Sequence, residues 1–243
     1  GIEGPLRHRG PHDVDFVCVR ENTEGEYVGV GGRIRAGTAD EVVTQTAIFT
    51  RKGTERVLRY AFDVAQGRKK EIISCTKSNA LNYSMVFWDE VTDIVAADYP
   101  EVAVTNTHVD ALAARMVLNP QLLDVIVASN LFGDILTDLG GALQGSLGLP
   151  PSGNIDPEGR YPGLFEPVHG SAPGRAGQGT ANPMAAIWAA SMMLDALGES
   201  EAAALVMRGL EAVALDGPYT KDLGGTASTI AVGDAVAAAI LAG

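Results

Sequence analysis

The sequence predicts an α/β protein with a mostly parallel sheet, and three observations point there. Strand-like and helix-like runs alternate through the first half. Of 243 residues, 46% are hydrophobic, enough for one large domain or two modest ones with real cores. The second half carries Ala-rich amphipathic helices whose apolar faces need a sheet to cover.

In order, "DVDFVCVR" (13–20) and "EVVTQTAIFT" (41–50) read as strands, followed by a helix over 52–67 and the strand "EIISCTK" (71–77). A helix over 85–99, a strand over 102–109, a helix over 110–118 and the strand "DVIVAS" (124–129) continue the rhythm. After residue 145 the composition changes. Gly- and Pro-rich stretches, "GLPPSGNIDPEGRYPG" and "GSAPGRAGQGTANP", predict a long ordered loop system of the kind that is usually functional. Helices are then expected over 184–198, 199–214 and 227–242, with few strands nearby to cover them. Because the chain opens on Gly1 rather than Met and runs straight into a strand, it reads as a fragment whose missing N-terminal segment supplies those strands.

Charge narrows the partners. With 30 acidic against 18 basic residues the formal charge is −12, which repels phosphate backbones and anionic membranes. Nucleic acid and membrane partners are therefore not expected. Cys18 and Cys75 lie in apolar, strand-like runs and read as buried free thiols of a cytoplasmic protein. No signal peptide or membrane-spanning run is visible, which fits a cytoplasmic location.

The residues that could carry chemistry sit mainly at strand ends. In "SNLFGDILTDLGG" (129–141), Asp134 and Asp138 stand four apart, so a helix presents both carboxylates on one face. Such a pair suits Mg²⁺ or Mn²⁺, although acids on a helix also simply favour solvent and the macrodipole. Asp110 sits where a strand hands over to a helix, either as a third ligand or as an N-cap. Lys77 ends its strand and could serve as a general base or merely snorkel. Arg20 and Tyr27 in "VRENTEGEY" offer a carboxylate fork and a proton-donating phenol, or two surface residues.

Four strings taken together, "VRENTEGEY", "TKSN", "SNLFGDILTDLGGALQGSLGLPPSGNI" and "LFEPVHGSAPGRAGQGTANP", resemble the β-decarboxylating dehydrogenases, the family of isocitrate, 3-isopropylmalate and tartrate/D-malate dehydrogenases. "RENTEGEY" with "VGGR" and "TKSNALNYSMVFWDE" is most similar to the tartrate/D-malate branch. The resemblance spans essentially the whole chain and implies an isopropylmalate dehydrogenase-like α/β/α sandwich lacking its N-terminal part. Residues 1–144 would form the substrate-binding and dimerisation domain, with an arm around "VGVGGRIRAGTADEVVTQTAIFT", and 145–243 the C-terminal part of the cofactor domain. Family members run roughly a hundred residues longer, about one added half-domain.

The resemblance also assigns roles. Asp134 and Asp138 would bind Mg²⁺ or Mn²⁺ with Asp110 from the partner subunit of a homodimer with shared active sites, and Lys77 would act across the same interface. Arg20 would hold the substrate carboxylate that leaves, and Tyr27 would protonate the enolate. The resemblance implies a 2-hydroxy dicarboxylic acid as substrate. Glu166, His169, Gly170, Ser171, Ala172, Arg175, Asn182 and Asp222 would bind the dinucleotide, although the segment lacks a G-x-G-x-x-G fingerprint. The family's NAD users carry an acid directly after "HGSAP". Here Gly174 and Arg175 follow, so NAD is expected while NADP stays open. Two rivals remain: a 3-isopropylmalate dehydrogenase, or a non-catalytic subunit that kept the fold and lost the chemistry.

Overall fold

The computed structural model describes residues 2–242, so the outermost residues of the two expected domains, 1 and 243, lie outside it. The chain separates into two compact units, Val14–Thr137 and the remainder, comprising the residues up to Asp13 together with those from Asp138 onward. The units divide within the helix over 130–143.

The unit from Val14 to Thr137 is built on a parallel sheet of four strands, β1 (Val17–Arg20), β4 (Glu71–Thr76), β5 (Ala103–His108) and β6 (Val125–Ala128), in the order β1-β6-β4-β5. Its central strands are apolar along both faces: Ile72, Cys75 and all of Val125–Ala128 are buried. This is the pattern of parallel strands covered on both sides. Helices α1 (Arg51–Gln66), α2 (Ser84–Ala96) and α3 (Val109–Leu118) connect the strands.

Helix α1 starts where Thr50 accepts a hydrogen bond from the Gly53 amide at 3.1 Å. It buries Val57, Leu58, Ala61, Phe62 and Ala65, one stripe at helical spacing. On α2, Trp88 is fully buried and its indole N–H donates to Ser74 Oγ at 2.9 Å, which in turn lies 3.1 Å from Thr92 Oγ1. The core's polar atoms are thereby paired rather than stranded. At the opposite end of the sheet, buried Asp124 accepts from Arg68 Nε at 2.7 Å and from the Lys69 amide at 2.9 Å. Arg68 also pairs with Asp15 at 2.8 Å. The run expected from residue 13 becomes β1 only at Val17: Asp13 ends a short 3-10 turn, Pro11–Asp13, and Asp15 lies in exposed, irregular chain.

The run 41–50 does form a strand, β3 (Val42–Ile48), but it pairs antiparallel with β2 (Gly25–Ile34) in a separate hairpin, with Ile34 opposite Val42. Almost every residue of this hairpin is exposed.

The second unit packs helices α5 (Met184–Ala196), α6 (Ser200–Asp216) and α7 (Thr229–Ala242), within two or three residues of their expected bounds, around Leu149, Met184, Leu210, Val213, Val232 and Val236. Within the loop region two short strands, β7 (Pro151–Asn154) and β8 (Leu164–Pro167), pair antiparallel. Helix α4 (Asn130–Leu143) runs from one unit into the other. Among the described residues no helix is long and apolar enough to cross a membrane. Both cysteines are free, Cys75 buried and Cys18 half-buried, and desolvation pushes the Cys18 thiol up to about 12, leaving it unreactive near neutrality.

Candidate active site

In the unit from Val14 to Thr137 the chemistry-bearing side chains gather at the carboxyl ends of the parallel strands. Arg20 closes β1, Lys77 follows β4, Asp110 lies in the first turn of α3 after β5, and Asp134 lies on α4 after β6. Crevices at this edge are where open α/β sheets bind ligands.

Two clusters result. In the first, Arg20 Nη1 pairs with Asp134 Oδ1 at 2.8 Å while the Tyr27 hydroxyl donates to Asp134 Oδ2 at 3.0 Å. The Arg20 guanidinium lies over the Tyr27 ring, 5.8 Å from its centroid. Asp134's hydrogen bond raises the phenol pKa, so Tyr27 holds its proton more tightly than a free tyrosine. In the second cluster Lys77 Nζ donates to Asp110 Oδ1 at 2.7 Å, and that contact lowers the Asp110 carboxyl pKa.

Asp138 is exposed and follows Asp134 by one turn on α4. Among the described residues no three His, Cys, Asp or Glu side chains form a metal-holding group, so the chain by itself does not gather Asp110 with Asp134 and Asp138. Asp134, half-exposed, and Asp138 are hard carboxylate donors on one helical stripe open to solvent, a set that fits one face of a Mg²⁺ or Mn²⁺ shell completed by other oxygens.

Sequence reading missed the groups that hold the first cluster in place. Asn130 Oδ1 accepts from Arg20 Nε at 3.1 Å and Nη2 at 2.8 Å, and Asn130 Nδ2 donates to the Glu24 carbonyl at 3.1 Å. Glu26 accepts from Ser129 Oγ at 3.0 Å and from the Leu131 amide at 3.1 Å, placing a carboxylate at the start of α4. Glu21, also buried, is met by Arg56 at 3.3 Å and by Thr23. Only an Asn at the junction of β6 and α4 and two Glu in the segment from β1 into β2 signalled these roles.

The second unit holds the expected dinucleotide residues. The loop from His169 turns through left-handed backbone at Gly170 (φ 64°) and Ala172 (φ 39°), then at Gly177 (φ 76°) and Gly179 (φ 64°). Nothing lies within 4 Å of where a side chain would start at the three glycines, leaving backbone a ligand can approach. A groove of about 500 Å³ is lined by His169, Ser171, Ala172, Arg175, Thr229 and Ile230 among others. A cavity of about 460 Å³ is lined by Arg175, Gln178, Thr180, Lys221 and Asp222. Two cations beside exposed backbone amides fit a phosphate-bearing cofactor.

Asn182 and Asp222 are joined at 3.0 Å. Asp222 also accepts from Ser146 Oγ at 2.5 Å and Thr220 Oγ1 at 2.6 Å, and Asn182 Oδ1 receives the Met184 amide at 3.0 Å at the start of α5. Desolvation works to raise the Asp222 carboxyl pKa, but these hydrogen bonds prevail and hold it below the ordinary value. Asn182 is buried, and neither it nor exposed Glu166 lines either space.

A carboxylate, an arginine fork and a phenol on one sheet edge, and a glycine-turned cationic loop elsewhere in the chain, are features of an α/β enzyme. The chain belongs to the isocitrate/isopropylmalate dehydrogenase family, which it matches over residues 2–236. It is 54% identical over 236 residues to a probable tartrate dehydrogenase/decarboxylase of Bacillus subtilis, covering 97% of this chain and 66% of that protein. It is 50% identical over 247 residues to the D-malate dehydrogenase [decarboxylating] of Escherichia coli, covering 99% of this chain and 67% of that protein. The crystal structure of isocitrate dehydrogenase from Methylococcus capsulatus superposes with a TM-score of 0.90 at 38% identity, covering 99% of this chain and 70% of that one. The chain thus spans about two thirds of the length of the curated relatives it matches.

Proposed function

We propose that this chain carries the catalytic residues of a β-decarboxylating dehydrogenase that oxidises a 2-hydroxy dicarboxylic acid of the D-malate or tartrate type and releases CO₂. The observation that carries the reading is the Arg20–Tyr27–Asp134 cluster at the carboxyl edge of the sheet. The relatives named as tartrate and D-malate dehydrogenases support the substrate class.

Asp134 and Asp138, with Asp110 of a second copy, would hold Mg²⁺ or Mn²⁺, and the groove at His169–Ala172 would hold the dinucleotide, proposed as NAD. When bound, the metal supplies positive charge where the enolate develops and the dinucleotide accepts the hydride. The chain's own residues do the rest. Arg20 grips the departing carboxylate through its free N–H groups. Lys77, once its ammonium group has released a proton to solvent, takes the hydroxyl proton of the substrate as the neutral amine, and Asp110 steers its Nζ. Tyr27 returns a proton to the carbon that has lost CO₂, and its raised pKa keeps that proton in place until carbanion charge appears beside it.

The Lys77 and Asp110 roles imply a homodimer with shared sites, and the exposed β2–β3 hairpin is the surface we assign to that pairing. A panel of D-malate, tartrate, 3-isopropylmalate and isocitrate, with NAD or NADP and with Mn²⁺ or a chelator, tests the proposal on the protein as its gene encodes it. Metal-dependent turnover of D-malate or tartrate, abolished by Asp134→Asn, is the expected result. Turnover untouched by that substitution, or no turnover of any member of the panel, overturns it.

A further inference from the structure

Resting on the substrate-gripping role proposed for Arg20, the geometry points to Asn130 as the residue that aims the Arg20 guanidinium, with Gly133 keeping open the space it crosses. A guanidinium carries five N–H donors in a rigid fork. The Nε and Nη2 donors on one edge both converge on Asn130 Oδ1, at 3.1 and 2.8 Å, and Nη1 meets Asp134 at 2.8 Å. One donor on each terminal nitrogen is left, the number a carboxylate takes in two-point fashion.

Asn130 is suited to the task because it cannot itself turn. Its side chain is buried, with the residue only 4% exposed, and its amide nitrogen is spent on the Glu24 carbonyl at 3.1 Å, so Oδ1 is the atom that faces Arg20. A neutral amide oxygen fixes the fork without adding a second negative charge to that of Asp134.

Gly133 supplies the second, independent observation. Three residues further along α4, it passes Arg20 so closely that a Cβ at position 133 would stand 2.6 Å from Arg20 Cγ and 2.8 Å from Arg20 Cβ. Arg20 Cβ belongs to the least movable part of the side chain, so any residue but glycine displaces the arginine from its line across the helix. Glycine in a helix interior costs about 1 kcal/mol relative to alanine, a cost offset here by the passage it opens.

The test is a double-mutant cycle in the loaded, full-length enzyme. Asn130→Ala is expected to raise KM for the hydroxy acid about ten- to hundredfold, the worth of one hydrogen bond to a charged group, and to leave KM for the dinucleotide within about twofold. In an Arg20→Ala background the same substitution should have almost no further effect, because it acts through a side chain already gone. Gly133→Ala, which leaves Asn130 untouched, should follow the same pattern and stands in for Asn130→Ala should that variant fail to fold. An effect of full size in the Arg20→Ala background, or equal rises in both KM values, overturns the inference. If Arg20→Ala itself leaves KM for the hydroxy acid unchanged, the proposed role of Arg20 falls instead.

Discussion

At the scale of single residues, the molecule spends its buried polar groups on holding charged side chains still. Asp222 is the clearest case: three side-chain donors outweigh desolvation and depress its carboxyl pKa. A group whose folded pKa lies below its unfolded value adds stability that is present above the unfolded value and lost as pH falls through the folded one. Urea midpoints measured from pH 7 down to about pH 3.5 should therefore fall, most steeply below about pH 4. Asp222→Asn should flatten that decline and cost of the order of 1 kcal/mol at pH 7. An unchanged slope would show that the Asp222 network does not contribute. Arg20, Tyr27 and Asp134 were legible in the sequence because their short strings are distinctive and their residue types are those of carboxylate and proton chemistry. Asn130 was not: an asparagine at the first position of a helix reads as a capping residue, and only the fold, which returns β1 beside α4, shows that its oxygen faces an arginine.

At the scale of elements, boundaries were legible wherever a cap or a period change marked them. The amphipathic run over 52–67 announced α1 to within a residue, while Thr50, read as the end of a strand, is its cap. The Thr50 hydroxyl also donates to Glu24 Oε1 at 2.5 Å, and the Thr50 amide to Glu24 Oε2 at 2.8 Å, so the cap ties α1 to the loop that carries Asn130's other partner. Thr50→Ala should lower stability by about 1 kcal/mol in chemical denaturation, and a loss no larger than about 0.3 kcal/mol would assign the cap no role. The strands of the hairpin were harder to place. β2 contains Gly29, Gly31 and Gly32, a composition that weakens any strand signal, yet a Cβ at Gly31 would collide with the Thr44 carbonyl of β3, so the glycine is what lets the two strands approach. β7 and β8 were hidden for the same reason, as four-residue strands inside loops rich in Gly and Pro.

At the scale of the whole molecule, the α/β class and the family were both legible, the class from alternation and the family from four strings spread along the chain. Helix α4 runs on from the last strand of the parallel sheet and carries Asp134 and Asp138 one turn apart. If Asp134 and Asp138 bind a divalent cation as proposed, and only in the folded state, the ion stabilises the fold by mass action. Millimolar Mn²⁺ should therefore raise the melting temperature by a few degrees, and Asp134→Asn should remove most of the rise. An equal rise in the variant would place the ion elsewhere.

The parallel pairing of β1 with β6 has a consequence for synthesis on the ribosome. Val17 lies against Val125, so the first strand of this sheet to emerge finds its neighbour only after more than a hundred further residues have been added. At roughly 5–20 residues per second that is a wait of at least several seconds, during which an apolar edge stands without its mate. The nascent chain must be shielded through that interval, and the last strand to arrive is also the one that brings the start of α4, with Asn130 and Asp134, into reach of Arg20.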